Sequence, residues 1–436
     1  MLESAHAARS GRALPDVLGG SCGVDAIRRV ASPPLEPGLA AVVRSAVGAD
    51  VDPAGLRLVR TKFKPGRSLT ADYLVPGTST QAAVRWTVNP PSNPPWVDAQ
   101  PWRDGWVSVL ISPSDRRLPQ LARLTTYAHL NAVLGRLTND PITASSISTI
   151  RYRPGERHVL RVNLGSGNGR LRSVFIKIDR DDRGRRAVRV ADTLGGPLTA
   201  RLPSASLARP VGYAADDQAA LWWAAPGRTL GEHLRAPAGD PTPLVATAGR
   251  ALRAFHACAV NAPYDLLVSH DAASEWRATQ RAGEIVSGLL PEVGEQYRAV
   301  GENVIAELHR RLDAAPTCLH GDAKADNVVV EGDRVILLDL DRCAWGDPAL
   351  DLGKLIADLR WWAGVTGSNA ADLIRGLRVG YGDGAPGQWE RARLLAVVFQ
   401  LKLAARRTPI HLPGWAQRIR ATVAEAARYL AMEPAA

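Results

Sequence analysis

The chain has 436 residues, 46% of them hydrophobic and 22% charged, a globular composition with length for two or three separately buried cores. No apolar run approaches the roughly 18–20 residues of a membrane helix, and the polar N-terminus lacks the pattern of a secretion signal, so the expectation is a cytoplasmic protein with no membrane partner. The net charge of +11 is confined to residues 1–230, with 31 Lys+Arg against 18 Asp+Glu, while residues 231–436 hold 23 against 25.

The first twenty residues read as a loosely ordered, polar lead-in. An internal repeat follows. Arg60-Thr61-Lys62-Phe63-Lys64-Pro65-Gly66-Arg67 recurs as Ile150-Arg151-Tyr152-Arg153-Pro154-Gly155-Glu156-Arg157. Each copy is an alternating strand, a Pro-Gly turn and a second strand, with a third strand beyond at Ala82–Trp86 and Val174–Ile178. Between the copies, the Pro- and Trp-rich stretch from Asn89 to Trp96 excludes helix and central strand, and a helical segment spans Leu118 to Leu137. After the second copy the pattern predicts a short basic helix and a loop ending at Arg209-Pro210. The arginine cluster from Arg180 to Arg189 fits a solvated helix face, and no aromatics interleave with it, which argues against a nucleic-acid partner.

An apolar strand over Ala219–Ala224 closes at Pro226-Gly227, and from Leu244 to Cys258 the apolar positions recur at helical spacing. The last hundred or so residues read as largely helical. The order is therefore β-rich, then helix-rich: an α+β layout of two lobes preceded by an extra N-terminal unit. Its boundaries are set at 1–145 for that unit, 146–226 for a β-rich lobe and 227–436 for a helical lobe. Cys22, Cys258, Cys318 and Cys343 lack metal-ligand spacing and read as small buried residues.

The densest chemistry lies in Cys318-Leu319-His320-Gly321-Asp322-Ala323-Lys324-Ala325-Asp326-Asn327. Two apolar strands follow, ending at Asp339-Leu340-Asp341, and then comes Gly346-Asp347-Pro348-Ala349-Leu350-Asp351-Leu352. A hairpin brings its two ends together, so Asp322, Asn327 and Asp339 converge. Phosphoryl transfer needs such a set: a carboxylate for the acceptor hydroxyl, and hard oxygen ligands to hold Mg²⁺ against nucleotide phosphates.

This segment resembles the aminoglycoside phosphotransferase and choline kinase-like family, relatives of the protein kinases with a bilobal fold of a small antiparallel β lobe and a helical lobe. The resemblance implies ATP and Mg²⁺ as cofactors and a small-molecule hydroxyl as acceptor. It assigns Asp322 as the catalytic base and Asn327 and Asp339 as Mg²⁺ ligands. His320 and Gly321 shape the loop, with His320 as base the less favoured role. Asp341 either assists the metal or holds the loop, and Asp347 and Asp351 brace it. Lys177 fits the strand lysine that neutralises phosphates. Gly155 lies in the turn over them, and Leu221 to Ala225 is the hinge where adenine pairs with the backbone. Two features depart from the family pattern. No Glu stands between Lys177 and the hinge to pair with it, Asp192 being the nearest substitute, and the first repeat copy carries Arg85 and Trp86 at the lysine's place, like a degenerate unit serving as a cap. A helical half this poor in net negative charge leans away from a polycationic acceptor toward a sugar, amino sugar or cyclitol. An antibiotic-inactivating O-phosphotransferase (for an aminoglycoside or macrolide) and a non-catalytic nucleotide binder are the alternatives.

Overall fold

Alternating strands closed by Pro-Gly turns build two sheets of one topology. The computed structural model describes residues 13–47, 52–78, 80–92, 96, 98–139, 142–165, 172–237, 239–258, 262, 265, 267–311 and 315–432. Three helices come first, α1 (Leu14–Gly19), α2 (Val24–Ala31) and α3 (Pro37–Val47). Within the expected loose lead-in, α1 is ordered because Leu14, Val17 and Leu18 are buried and tie it down. Residues 1–12 lie outside the described residues.

The first sheet holds β1 (Arg57–Lys64), β2 (Ser68–Leu74), β3 (Gln81–Thr87), β4 (Ala99–Trp102) and β5 (Gly105–Ile111), in the order β1-β2-β3-β5-β4. Helices α4 (Gln120–Leu124) and α5 (Tyr127–Thr138) lead to the second. That sheet contains β6 (Thr143–Arg153), β7 (Arg157–Gly165) and β8 (Arg172–Asp179). After helix α6 (Arg183–Arg201) and a short strand β9 (Ala205–Leu207), it is completed by β10 (Pro210–Ala214) and β11 (Ala219–Trp223). Its order, β6-β7-β8-β11-β10, repeats the first strand for strand.

The registers agree as well. Lys64 faces Ser68 and Arg153 faces Arg157 across the two turns, where Gly66 and Gly155 both have φ +65°, the left-handed region that favours glycine. Thr87 opposite Ser68 corresponds to Asp179 opposite Arg157, which puts Arg85 at the position of Lys177. The amides of Ser112 and Ala224 bond the carbonyls of Gln81 and Ser173, again equivalent residues, at 3.0 and 2.9 Å. The duplication thus spans five strands, two more than the sequence reveals, and β5 stands where the second copy has β11.

The copies differ between the third strand and the returning hairpin. The first has the Pro- and Trp-rich stretch, of which residues 93–95 and 97 lie outside the described residues; the second has α6. That helix is not short: it runs 19 residues through Gly195-Gly196-Pro197, since Val190, Ala191, Leu194 and Leu198 keep one buried stripe across the interruption. Helices α4 and α5, assigned from sequence to the N-terminal unit, pack on the second sheet: Leu121, Leu130 and Leu134 share a core with Leu160, Ile176 and Leu221.

Beyond Gly227 the chain forms β12 (Arg228–Thr229) and α7 (Leu230–Arg235), whose first turn is closed by a reciprocal capping box between Thr229 and Glu232. Helix α8 (Thr242–His256) follows where the apolar spacing predicts it, and then β13 (Val268–Ser269) and helices α9 (Ala272–Leu289) and α10 (Pro291–His309). The central segment supplies β14 (Thr317–Leu319), the hairpin β15 (Val328–Glu331) and β16 (Arg334–Leu337), and β17 (Ala344–Gly346). Helices α11 (Ala349–Thr366), α12 (Ala370–Tyr381), α13 (Gln388–Arg406) and α14 (Trp415–Ala431) complete this lobe. The architecture is α+β and bilobal, a β-rich lobe followed by a helix-rich one, with an extra unit in front.

That unit touches both lobes. Arg28 donates to the carbonyls of Ile410 (2.6 Å) and Leu412, and Thr61 Oγ1 lies 3.1 Å from His411 Nδ1. Toward the β lobe, Ser112 Oγ is 2.7 Å from His158 Nε2. No helix among the described residues is long and apolar enough to cross a membrane.

Candidate active site

The loop between β14 and β15 is shaped from beneath by one carboxylate. Asp351, in the first turn of α11, accepts the amides of His320 (2.6 Å) and Gly321 (2.8 Å), and His256 Nε2 donates to it at 3.0 Å. Gly321 has φ +72°, and a Cβ there would stand 1.9 Å from the Arg342 carbonyl oxygen, so only glycine fits. The buried His320 ring accepts the Asp322 amide at Nδ1 (3.3 Å) and donates from Nε2 to the Leu338 carbonyl (2.8 Å). Burial pushes its pKa down, consistent with a neutral ring. Both nitrogens are committed, so His320 ties the loop to the end of β16 and is not placed to act as a base. Asp347 accepts the Ala349 amide (2.8 Å) and Arg391 Nε (2.7 Å), holding the start of α11.

Asp322 is surrounded by donors. Lys354 Nζ lies 2.5 Å from Oδ1, Lys324 Nζ 2.8 Å from Oδ2, and Asn327 Nδ2 donates to Oδ2 at 3.0 Å. Burial opposes ionisation, but the two ammonium groups outweigh it and hold the carboxyl well below the usual range. Asn327 spends its amide nitrogen on Asp322, which leaves its carbonyl oxygen as a donor atom for a cation.

Two residues past β16, Asp339 adopts the left-handed conformation, φ +63°, rare for a residue with a side chain. Lys177 Nζ reaches its Oδ1 at 2.6 Å and Asp341 at 3.4 Å. Asp341 also receives Arg157 Nη2 at 2.6 Å, and Arg157 Nε bonds Asp179 at 2.6 Å. Burial penalises both carboxylates of the Asp339–Asp341 pair. Lys177 brings Asp339 below its ordinary range, whereas burial and the adjacent Asp339 charge push Asp341 up. Among the described residues no three His, Cys, Asp or Glu side chains form a metal cage. The oxygens of Asn327 and Asp339 suit Mg²⁺, which takes one or two protein ligands and completes its shell with water and phosphate.

The sequence profile of the phosphotransferase enzyme family matches residues 153–395, more than half of the chain. The chain belongs to that family. It is therefore a phosphotransferase. Its structure resembles a GDP and kanamycin complex of APH(2")-IIia at 14% identity and TM-score 0.49, covering 69% of this chain and 98% of that one. It also resembles a choline/ethanolamine kinase family protein from Mesorhizobium loti at 17% identity, TM-score 0.46, with coverages of 69% and 98%. A spectinomycin phosphotransferase with ADP and its antibiotic follows at 11%, 0.47, 71% and 95%. A search of curated proteins finds no match.

Three sequence expectations for the phosphotransferase need correction. The Gly155 amide is not available to phosphate, because Asp115 Oδ2 accepts it at 2.6 Å together with the Tyr152 hydroxyl at 2.9 Å. Leu221 is fully buried in a strand paired on both sides, with Gly212 and Ile176, so its backbone is spent within the sheet. Asp192 is exposed and does not partner Lys177; Asp341 does. Sequence reasoning also missed the roles of Arg157, Lys354 and Asp179, which pair with Asp341, Asp322 and Arg157. The alternation Arg157-His158-Val159 opposite Lys177–Asp179 was the available signal for two of them.

Proposed function

We propose that this phosphotransferase moves the γ-phosphate of ATP to a hydroxyl of a sugar, amino sugar or cyclitol. The observation that carries this reading is the clamped Asp322 carboxylate, held ionised by Lys354, Lys324 and Asn327 on a loop that His320 ties to the end of the Asp339 strand. Asp322 orients the acceptor hydroxyl and takes its proton. A weak base suffices, because phosphoryl transfer proceeds through a loose transition state in which the nucleophile loses its proton late. Asn327 and Asp339 would hold Mg²⁺. Mg²⁺ bound there supplies neutralising charge to the phosphates. Lys177 gives up Asp339 for phosphate oxygens when the nucleotide enters, while Arg157 keeps Asp341 in place.

The two lysines against Asp322 also bear on the acceptor. A polycation would meet Lys324 and Lys354 at the reacting carboxylate, whereas a neutral or anionic hydroxyl compound meets no such repulsion.

The test is an ATP-consumption screen over sugars, amino sugars, cyclitols and antibiotics. At least one uncharged or amino-sugar acceptor should be phosphorylated, and Asp322→Asn should lose about 10³-fold or more in kcat. If no acceptor turns over while ATP still binds, the non-catalytic reading replaces this one. Turnover of a polycationic aminoglycoside alone would overturn the acceptor class.

A further inference from the structure

The N-terminal sheet keeps two parts that, in the second sheet, lie at the phosphate end of the nucleotide cleft: a Pro-Gly turn and a third-strand cation. Arg85 stands in β3 where Lys177 stands in β8. Their surroundings differ. Lys177 is matched by Asp339 and Asp341. Arg85 makes no ion pair among the described residues; its guanidinium lies 5.5 Å from the centre of the Trp96 ring, and its Nε is buried without a hydrogen-bond partner.

A cavity of about 520 Å³ opens beside it, walled by Gly66, Arg67 and Arg85 from the first sheet and by Pro154, Glu156 and Arg180 from the second. A smaller space of about 100 Å³ shares Arg85, Trp96, Pro154 and Glu156 with it and adds Arg60, Lys62 and Arg153. Together the walls carry eight Lys and Arg side chains against two carboxylates, Asp72 and Glu156. Arg153, like Arg85, has a buried Nε with no partner. Burial, then the neighbouring Arg151, Arg60 and Arg157, pushes the Arg153 pKa down to about 10, and burial also lowers those of Lys62 and Arg85. Cations gathered in a half-buried space repel one another and lack hydration, and an anion in their midst relieves both costs.

We propose that this cavity, between the N-terminal sheet and the Pro154-Gly155-Glu156 turn, binds a phosphorylated small molecule at a site separate from the nucleotide cleft. Phosphate is favoured over carboxylate because its tetrahedral oxygens accept several guanidinium forks at once, and Arg67, Arg85, Arg153 and Arg180 come from four different segments. The volume suits a small molecule rather than a lone ion. The comparison with Lys177 rests on reading that residue as the nucleotide's cation, but the binding test requires no turnover.

The experiment is calorimetric titration of the full chain with inorganic pyrophosphate, at low and high salt, using wild type, Arg85→Gln, Arg180→Gln and Lys177→Met. Binding should weaken with salt, fall about tenfold or more in Arg85→Gln and Arg180→Gln, and persist in Lys177→Met. Arg180 is exposed, so its variant remains informative if Arg85→Gln fails to fold. Absence of binding overturns the proposal. So does binding lost in Lys177→Met but kept in both arginine variants, which places the anion in the nucleotide cleft. Equal affinity for citrate overturns the phosphate assignment.

Discussion

The two sheets have the same strand order, the same turn conformation and the same register, yet their third-strand cations have different surroundings. Lys177 lies in a chain of alternating charges, Asp179, Arg157, Asp341, Lys177 and Asp339, with contacts of 2.6–3.4 Å. Arg85, at the equivalent position, has Trp96 and a cavity. The difference shows that the sheet by itself carries little of the chemistry. Asp339 and Asp341 are delivered by the hairpin of the helical lobe, and among the described residues no such hairpin brings carboxylates to Arg85. The same network accounts for the helix glutamate that α6 lacks: Asp341, not a residue of α6, takes the second place beside Lys177.

The contrast can be broken most decisively at the strand cation. Lys177→Ala should lower kcat by about 10²–10³-fold with the fold intact, as expected for loss of a preorganised charge on the transferring group; a loss below tenfold in steady-state kinetics would remove the functional distinction between the sheets. Arg157→Ala comes next. It strands the buried Asp179 and Asp341 without their shared cation and should cost about 3–5 kcal/mol in denaturant unfolding.

His158 sharpens the comparison in another way, since the first sheet has Leu69 at its position. Burial pushes the His158 pKa down to about 4, against about 6.5 in an unfolded chain. As pH falls the unfolded state binds the proton first. Stability is therefore complete above about pH 6.5 and declines toward pH 4, by at most about 3 kcal/mol. His158→Leu should flatten that part of the stability–pH curve, and an unchanged curve would assign the acid sensitivity elsewhere. The smallest effects belong to the turns. Gly66→Ala, with open space for a Cβ but φ +65°, should cost about 1–2 kcal/mol. Gly155→Ala should cost at least as much, because Asp115 grips its amide; a smaller cost, read from thermal unfolding, would mean the grip is weak.

Legible in the sequence were the loop from His320 to Asn327, the hairpin that carries Asp339 and the first three strands of each repeat copy. These are local: turn chemistry, alternation and residue spacing specify them before any long-range contact forms. Only the tertiary structure decided that the repeat continues through β5 and β11, because returning strands are set by pairing partners distant in the chain and share no residue order. The partners of the named carboxylates were equally out of reach, since Lys354 meets Asp322 and Arg157 meets Asp341 across folded elements and either lysine or arginine could have served. The same holds for Gly155 and Leu221. Their backbones looked available in sequence and are occupied in the fold, because buried amides and carbonyls take partners wherever packing supplies them.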